Sequence, residues 1–321
     1  MLALARSRDT IPGADALPGG SRYEPKWDGY RAAIARTDAA HIWSRRGTDM
    51  TAAFPELAAS ILMLPPGTAL DGEIVAWVNG RLDFDALQQR LSAGAKRRAA
   101  LVRELPASLV LFDLLTIDGR DIRQEPFDRR RQLLEELARN WQPPLELSPM
   151  TDDEAVASDW FEDMSAAGIE GLIVKGASQP YVRGERIWIK VKHRRTLDVV
   201  VGAVIGPMRQ PEAVVVGFPD DDELRIVGRS TPLKPAVARA LGSLLRAPGG
   251  THPWPEVVSP GAVDRFNAGR DPVQLTLVHP TMAEVSADVA LTRGAFRHGV
   301  RYLRLRPDLD VPVSWLPQVS R

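Results

Sequence analysis

One lysine of this chain stands in a setting that suggests nucleophilic chemistry. Lys26 lies in the stretch RYEPKWDGYRAAI, residues 22–34, directly after a proline and before Trp-Asp-Gly. Lysine is scarce: the 321 residues contain only six, at positions 26, 96, 175, 190, 192 and 234, and arginine supplies the remaining basic charge. An arginine stays protonated in a protein, whereas a lysine amine can become neutral and attack an electrophile. Lys26 is therefore a candidate nucleophile.

A nucleophilic lysine needs neighbours that disfavour its ammonium form, because its ordinary pKa is about 10.4. A cation at ~5 Å destabilises the ammonium form by about 3 kcal/mol at an effective dielectric near 20. Two such cations would therefore suffice to lower the pKa of the lysine to about 7. The stretch WIKVK, residues 188–192, offers Lys190 and Lys192, which a strand would place on one face. Nearby carboxylates would oppose this effect unless a metal ion took up their charge. The candidates for such carboxylates are Asp28, Glu73 and Glu170.

The elements around these residues predict an α+β domain over residues 1–195. The runs that read as strands are YEPKWDGYRAAIA, AHIWSRRG, TALDGEIVAWV, ASLVLFDLLTIDG, EGLIVK and RIWIKVK. Helices are predicted for MTAAFPELAASILML, for DFDALQQRLSA with Asp83 as its cap, and for FDRRRQLLEELARN. A further helix, TDDEAVASDWFEDMSAAG, is predicted to open with a capping box of Thr151 and Glu154 and to end at Gly168.

The remainder, residues 196–321, predicts a second and different domain. Three closely spaced strand-like runs, LDVVVGAVIG, EAVVVGFP and ELRIVGRS, precede the helical stretch PLKPAVARALGSLL. Further strands follow in VQLTLVHP, MAEVSADVAL and VRYLRLR. The order β-β-β-α-β-β suits a small OB-fold β-barrel, and KVKHRRT between the two domains is a plausible hinge.

Composition excludes several kinds of chemistry. The chain has no cysteine, so disulfides, thiolate zinc sites and thiol catalysis are excluded. No apolar run predicts a signal peptide or a membrane span, so a cytoplasmic, nucleoid-associated location is expected, with no membrane partner. The net charge is zero, and nucleic-acid binding would therefore depend on a local arginine-rich face.

Each short motif also has a plain structural interpretation. KWDGYR fits a strand followed by a turn, DGE is common before a strand, and the lysines of WIKVK could protect an edge strand. Their joint occurrence in one order, with Lys26, Lys175, Lys190 and Lys192 all inside the set, makes coincidence a poor explanation.

The set resembles the motifs of the covalent nucleotidyltransferases. Lys26-Trp-Asp-Gly-Tyr-Arg31 resembles the KxDGxR motif, and the later motifs follow in that superfamily's order: SRRG, DGE, LFDLLTIDG, EGLIVK and WIKVK. Within that superfamily the chain resembles bacterial ATP-dependent DNA ligases, in particular the compact actinobacterial type called ligase C. The resemblance implies a nucleotidyltransferase domain followed by an OB-fold domain.

The resemblance also implies a role for each motif residue. Lys26 would attack the α-phosphate of ATP and carry AMP to the 5′-phosphate of nicked double-stranded DNA, whose 3′-hydroxyl then seals the strand. Lys190 and Lys192 would surround the phosphate, and Mg²⁺ or Mn²⁺ would lie near Glu170 and Asp28. The residues expected at the nucleotide are Glu24 at the adenine amino group, Phe112 and Ile173 on its faces, Glu73 at the ribose, and Arg31, Arg45 and Arg186 at phosphates.

The last motif departs from the family's pattern. Arg306-Pro-Asp308 matches the usual Arg-x-Asp-Lys and is expected to take part in catalysis, but Leu309 stands in place of the lysine. The spacing from Arg297 is also one residue longer than in many relatives. Only 25 residues precede Lys26, so the large N-terminal DNA-binding domain of some ligases is expected to be absent.

Several functions compete with DNA ligation. An RNA ligase or another lysine-dependent nucleotidyltransferase of the same superfamily would share these motifs, and an mRNA guanylyltransferase would use GTP instead. An NAD-dependent ligase would need an extra N-terminal domain and usually a cysteine-ligated zinc. A non-enzymatic OB-fold binder would leave the lysines of the first domain unexplained. We expect a monomeric DNA ligase that works in repair with protein partners.

Overall fold

The computed structural model describes residues 2–220, 223–264, 271–288, 291–292 and 294–311. The chain divides into two compact units, Met1–His193 and Arg194–Arg321. Both units combine strands with short helices, so the α+β class predicted from the sequence is confirmed. None of the helices in the described ranges is long and apolar enough to cross a membrane.

The first unit contains five α-helices among its described residues. They are α1 (Pro55–Ile61), α2 (Phe84–Ser92), α3 (Ala95–Glu104), α4 (Phe127–Ala138) and α5 (Glu154–Asp163). Its strands are β1 (Ala5–Arg8), β2 (Ser21–Pro25), β3 (Tyr30–Arg36), β4 (Ala40–Ser44), β5 (Thr68–Val78), β6 (Arg81–Leu82), β7 (Ala107–Ile117), β8 (Arg120–Asp121), β9 (Leu145–Leu147), β10 (Gly171–Gly176) and β11 (Trp188–Lys192).

Two sheets organise this unit. The larger has the order β4-β3-β5-β7-β8, with β6 beside β5 and β9 parallel to β7. Ile34, Leu70 and Leu109 on one of its faces are buried in a core with Leu57 of α1 and Leu87 of α2. Strands bury one face in this way when alternate residues are apolar. The opposite face of this sheet is therefore left for the functional side chains.

The smaller sheet has the order β1-β11-β10-β2. One of its faces is apolar: Tyr23, Leu172, Val174 and Ile189 are buried there with Ala157 of α5. Because side chains alternate along a strand, the intervening residues of β2, β10 and β11 point to the other face. Those residues include Glu24, Lys175, Lys190 and Lys192.

Helix caps follow the sequence in part. Asp83 caps α2 by accepting a hydrogen bond from the Ala86 amide at 2.9 Å, and Gly168 ends its helical segment in the left-handed conformation, both as predicted. The predicted capping box of Thr151 and Glu154 is wrong. Asp153 caps α5 instead, with its carboxylate 2.7 Å from the Ala155 amide, because an aspartate one residue before the helix reaches the free amides directly.

The second unit is built on a five-stranded antiparallel sheet. Its order is β14-β13-β12-β17-β20, and buried valines of these strands form the core. The sequence order of three strands, a helix and further strands is confirmed, with short elements added after the helix. The elements are β12 (Arg194–Ile205), β13 (Ala213–Asp220), β14 (Glu223–Arg229), α6 (Pro235–Gly242), β15 (Val257–Val258), α7 (Pro260–Val263), β16 (Val273–Gln274), β17 (Thr276–Asp288), β18 (Leu291–Thr292), β19 (Ala295–Phe296) and β20 (Arg301–Leu305).

Candidate active site

The register of the smaller sheet lines up three motif residues. Ile173 of β10 lies opposite Glu24 of β2 on one side and opposite Lys190 of β11 on the other. Residues paired across neighbouring strands point to the same face, so these three side chains form a row. Lys192, two residues after Lys190 on β11, points the same way. The prediction that both lysines share a face is confirmed.

Lys26 follows the last residue of β2 and is fixed through its backbone. Its amide donates to the Gly171 carbonyl at 2.8 Å, and its carbonyl accepts from the Glu170 amide at 3.0 Å. On its other side Gly171 lies close to β11: its φ is +142°, and a Cβ there would lie 2.0 Å from the Val191 carbonyl oxygen. The Glu-Gly pair of EGLIVK therefore brings a carboxylate next to the candidate nucleophile.

The Lys26 amine belongs to a compact group of charges that we call the amine cluster, composed of Lys26, Glu170 and Lys192. The Lys26 ammonium donates a hydrogen bond to Glu170 Oε2, and the Lys192 ammonium lies 3.3 Å from the same oxygen. The side chains retain 19%, 9% and 16% exposure in chain order. One carboxylate oxygen is thus shared by two ammonium groups that solvent can still reach.

The charge state of Lys26 differs from the expectation based on the sequence. Burial acts to lower the pKa of this amine, but the carboxylates of Glu170, Glu73 and Asp28 outweigh burial and raise the pKa above its ordinary value. The expected depression by two neighbouring cations does not hold for the chain without ligands. Lys26 is an ammonium there, and it must lose a proton before it can attack.

Glu73 approaches Lys26 from β5 in the larger sheet. Burial raises the pKa of this carboxyl to about 8, although the positive charges of Lys26 and Arg31 act in the opposite direction. The DG turn of KWDGYR packs tightly on the same strand: a Cβ at Gly29 would lie 2.0 Å from the Ile74 carbonyl oxygen. The glycine of the motif therefore allows the nucleophile loop to lie directly against the strand that carries Glu73.

Phe112 and Ile173 come from different sheets and meet in one apolar cluster. Phe112 of β7 is buried with Trp188 and Tyr181, and Ile173 packs against that cluster. The ring of Phe112 meets Trp188 edge to face at 6.3 Å between centroids. The two residues expected at the faces of adenine therefore belong to one apolar cluster.

Arg31 is engaged within the protein. Its guanidinium binds both oxygens of the buried Asp71, at 3.1 and 2.6 Å, and donates to the Ala3 carbonyl at 2.6 Å. The Tyr181 hydroxyl donates to the same aspartate at 2.6 Å. Sequence reasoning did not single out Asp71 or Tyr181. Asp71 lies two residues before Glu73 in DGE, so the alternation of β5 places both carboxylates on the face of Arg31.

A second group of charges, which we call the buried cluster, lies where Glu24 meets β10 and α4. It consists of Glu24, Lys175, Asp113, Arg130 and Arg131, none of which is more than 6% exposed. Arg130 binds both oxygens of Asp113, at 2.8 and 3.1 Å. Burial raises the pKa of Glu24 despite the nearby Lys175 and Arg131. Of this cluster, sequence reasoning assigned a role only to Glu24.

The remaining predicted site residues lie elsewhere. Arg45 is exposed in the turn after β4, and Arg186 is exposed just before β11. Arg306 and Asp308 belong to the second unit, at the end of β20. There the Arg306 guanidinium binds Asp308 at 2.7 Å and Asp198 at 2.9 Å.

The carboxylates near Lys26 fit a divalent ion of one type. In the described part of the chain no group of three or more acidic or histidine side chains forms a metal-binding cluster. Mg²⁺, however, is usually held by one or two carboxylates and completes its shell with waters and substrate phosphates. Glu170 and Asp28 fit such an ion when a nucleotide supplies the other oxygens.

Comparison with known proteins identifies the family. The family model for the ATP-dependent DNA ligase domain matches residues 3–192, more than half of the chain. The chain belongs to this family. It is similar to DNA ligase C2 of Mycolicibacterium smegmatis, with 37% identity over 92% of this chain and 88% of that protein. DNA ligase C of Mycobacterium tuberculosis is 33% identical over 95% of this chain and 91% of that protein.

A solved structure extends the similarity to the fold of both units. The ligase domain of LigD from M. tuberculosis matches with a TM-score of 0.50 and 28% identity, and the match covers 96% of each chain. The family and the fold class predicted from the motifs are therefore confirmed. The comparisons leave the roles of the individual site residues as predictions.

Proposed function

We propose that this chain seals 5′-phosphate/3′-hydroxyl nicks in double-stranded DNA with ATP, through an AMP bound covalently to Lys26. The neutral Lys26 amine attacks the α-phosphorus of ATP, the bond to the bridging oxygen breaks, and pyrophosphate leaves. The 5′-phosphate of the nick then attacks the same phosphorus and frees the lysine. Finally the 3′-hydroxyl attacks the activated 5′-phosphate, forms the phosphodiester bond and releases AMP.

The observation that carries this proposal is the position of the Lys26 amine. It lies at the end of β2, hydrogen-bonded to Glu170, with Lys192 on the same carboxylate oxygen and the Phe112–Ile173 pair on the adjoining face. A nucleophile, a cation for phosphate oxygens and an apolar surface for a base therefore occupy one site. Covalent nucleotidyl transfer needs these three components together.

Proton loss from Lys26 is the step that the amine cluster must permit. Glu170 holds the ammonium in the chain without ligands, so nucleotide binding must redistribute this charge before attack. Lys190 and Lys192 offer positive charge to the phosphate oxygens of the nucleotide, so the negative charge of the phosphates would lie beside these two lysines. The Glu73 carboxyl would bind the ribose hydroxyls, and its raised pKa allows it to donate as well as accept hydrogen bonds.

A divalent ion, Mg²⁺ or Mn²⁺, would be held by Glu170 and Asp28 together with phosphate oxygens. Such an ion supplies charge neutralisation at the transferring phosphate. Glu170 is the residue whose charge contributes most to the raised pKa of Lys26, so sharing that charge with a bound ion would hold the ammonium less firmly. The residues present therefore favour attack in the loaded site over attack in the empty one.

DNA and protein partners form a further part of the proposal. Arg45 and Arg186 are exposed and suited to phosphates of the nick, since a guanidinium forms paired hydrogen bonds with phosphate oxygens. The net charge of the chain is zero, so few phosphates can be neutralised and unaided binding to nicked DNA should be weak. We expect a monomer in the cytoplasm, near the nucleoid, that repair proteins recruit to breaks.

The test is a sealing assay on a duplex with one 5′-phosphorylated nick, divalent ion and a single nucleotide. ATP should support sealing with release of one AMP and one pyrophosphate for each nick closed, and NAD⁺ should not. A parallel duplex with RNA on both sides of the nick separates DNA ligase from RNA ligase. Sealing with NAD⁺ alone, or of RNA alone, would contradict the proposal.

A further inference from the structure

Lys175 is a charged residue of the first unit to which the proposed reaction assigns no role, and its surroundings are unusual. It lies on β10, two residues after Ile173, and its side chain has no exposure to solvent. Its ammonium lies 2.7 Å from Glu24 Oε2, donates to the Phe112 carbonyl at 3.1 Å, and lies 3.8 Å from Asp113. A buried ammonium is costly unless its neighbours hold it firmly.

Aromatic rings complete the site of this ammonium. The nitrogen lies 4.8 Å from the ring centroid of Phe112, 4.6 Å from that of Phe127 and 4.5 Å from that of Trp188. Ring faces attract cations, and the attraction strengthens away from water. With rings, a carbonyl and two carboxylates around it, the ammonium has little freedom to move. It is a fixed point beside the Phe112–Ile173 pair.

The carboxylate that Lys175 holds has one oxygen engaged and one available. Glu24 Oε2 is bound by Lys175, whereas Oε1 is buried and has no hydrogen-bond partner. Arg131 Nη1 lies 3.6 Å from Oε1 and is also buried without a hydrogen-bond partner. A buried oxygen without a hydrogen-bond partner is destabilising. A ligand that donates a hydrogen bond to this oxygen therefore binds more tightly than a ligand that does not.

We propose that Lys175 is a positioning residue that sets the preference for adenine, by locking Glu24 so that Oε1 receives the 6-amino group. This inference rests on the proposed function. A base with no donor at this position leaves Oε1 unpaired. Guanine offers a carbonyl oxygen there, which the carboxylate disfavours. Without Lys175 the Glu24 carboxylate would be free to rotate, and the preference for adenine over these other bases would decrease.

The experiment measures self-labelling of the whole chain with three nucleotides: ATP, GTP and purine riboside triphosphate, which is ATP without the 6-amino group. Wild type should prefer ATP over the purine analogue by about 10-fold or more in kcat/KM, the scale of a hydrogen bond to a charged group. Lys175→Met should bring this ratio close to 1, mainly by raising KM for ATP. Glu24→Gln should give the same direction of change.

The controls separate positioning from a merely structural role. Lys96→Met removes an exposed lysine of α3 and should leave all three rates unchanged. A structural role for Lys175 would lower labelling with every nucleotide by one factor, and an unchanged ATP preference in folded Lys175→Met would overturn the inference. Wild type that labels with no nucleotide would instead overturn the proposed function, so the two failures are distinguishable.

A second variant covers the case in which Lys175→Met fails to fold. The double variant Glu24→Gln, Lys175→Met leaves neither charge buried alone and is compared with Glu24→Gln. If Lys175 acts through Glu24, the two proteins should show the same ATP preference, because the carboxylate that Lys175 positions is gone from both. A further change of preference in the double variant would overturn the inference.

Discussion

The first unit contains two groups of charges that differ in how they are held. The buried cluster pairs Arg130 with Asp113 through two hydrogen bonds, both side chains fully excluded from water. In the amine cluster, Lys26 and Lys192 share one oxygen of Glu170 and remain partly exposed. Partners that share an oxygen near water can be exchanged for phosphate, whereas a buried bidentate pair cannot be opened cheaply. We infer that the amine cluster is rearranged during the reaction and that the buried cluster keeps the base site rigid.

The largest expected effect tests the amine cluster through its nucleophile. Lys26→Arg keeps the positive charge beside Glu170 but removes the amine that we propose to carry AMP, so labelling with α-³²P-ATP should fall to background. The melting temperature should stay within a few degrees of wild type. Lys234→Arg, which changes an exposed lysine of the second unit, serves as the matched control and should label normally. Residual labelling of folded Lys26→Arg would refute the assignment.

In the buried cluster a substitution is expected to reduce stability, whereas Lys26→Arg is expected to reduce labelling without reducing stability. Arg130→Met removes the cation but leaves Asp113 buried, which should destabilise the first unit by about 3–5 kcal/mol. Urea unfolding followed by circular dichroism measures this loss. Arg129→Met, at the exposed neighbouring position on α4, is the control and should change stability little. If Arg130→Met loses labelling activity but keeps wild-type stability, the distinction between the two clusters is wrong.

A third group of charges, in the second unit, tests whether ion pairs that are exposed to solvent exchange their partners for phosphate during the reaction. Arg306 binds Asp308 and Asp198 near the surface, so it resembles the amine cluster more than the buried one. Arg306→Ala should slow self-labelling about 10-fold or more and affect sealing of DNA that already carries a 5′-AMP much less. Arg304→Ala removes an exposed neighbour on β20 that pairs with Glu284, and it is the matched control. Equal losses in both assays would argue against a role confined to the first step.

The smallest expected effect lies outside both clusters. Asp153 caps α5, which packs behind the smaller sheet, and Asp153→Ala should cost about 1 kcal/mol of stability. Labelling per folded molecule should not change, because the apolar face and the charged face of that sheet are separate. Asp152→Ala, at the exposed preceding position, should cost less. A large loss of labelling in folded Asp153→Ala would show that the two faces are coupled.

The sequence predicted the parts of the site that depend on strand periodicity. Lys190 and Lys192 lie on one face of β11, because alternation along a strand needs no tertiary information. The same reasoning predicted the cap at Asp83. The single strand predicted for YEPKWDGYRAAIA was wrong: the structure has two strands, β2 and β3, and Lys26 lies in the connection between them. The capping box failed because Thr151 and Asp153 are both good caps, and only the position of the first helical residue decides between them.

The buried cluster could not be predicted, because its environment comes from distant parts of the chain. EGLIVK reads as a strand with charged ends, yet Lys175 is enclosed by residues such as Phe112, Phe127 and Trp188 from three other segments. The raised pKa of Lys26 has a similar origin, since Glu73 and Glu170 come from separate strands and loops. Alternation could have placed Asp71 beside Arg31, but only once the register of β3 and β5 was known.

The most direct test of the account is the intact mass of the whole chain before and after incubation with ATP and a divalent ion, followed by peptide mapping. A mass gain of one AMP is predicted, located on the peptide that contains Lys26 and reversed by added pyrophosphate. Lys26→Arg should show no gain under the same conditions. A gain that maps to another residue, or no gain in protein that nevertheless seals nicks, would contradict the central claim.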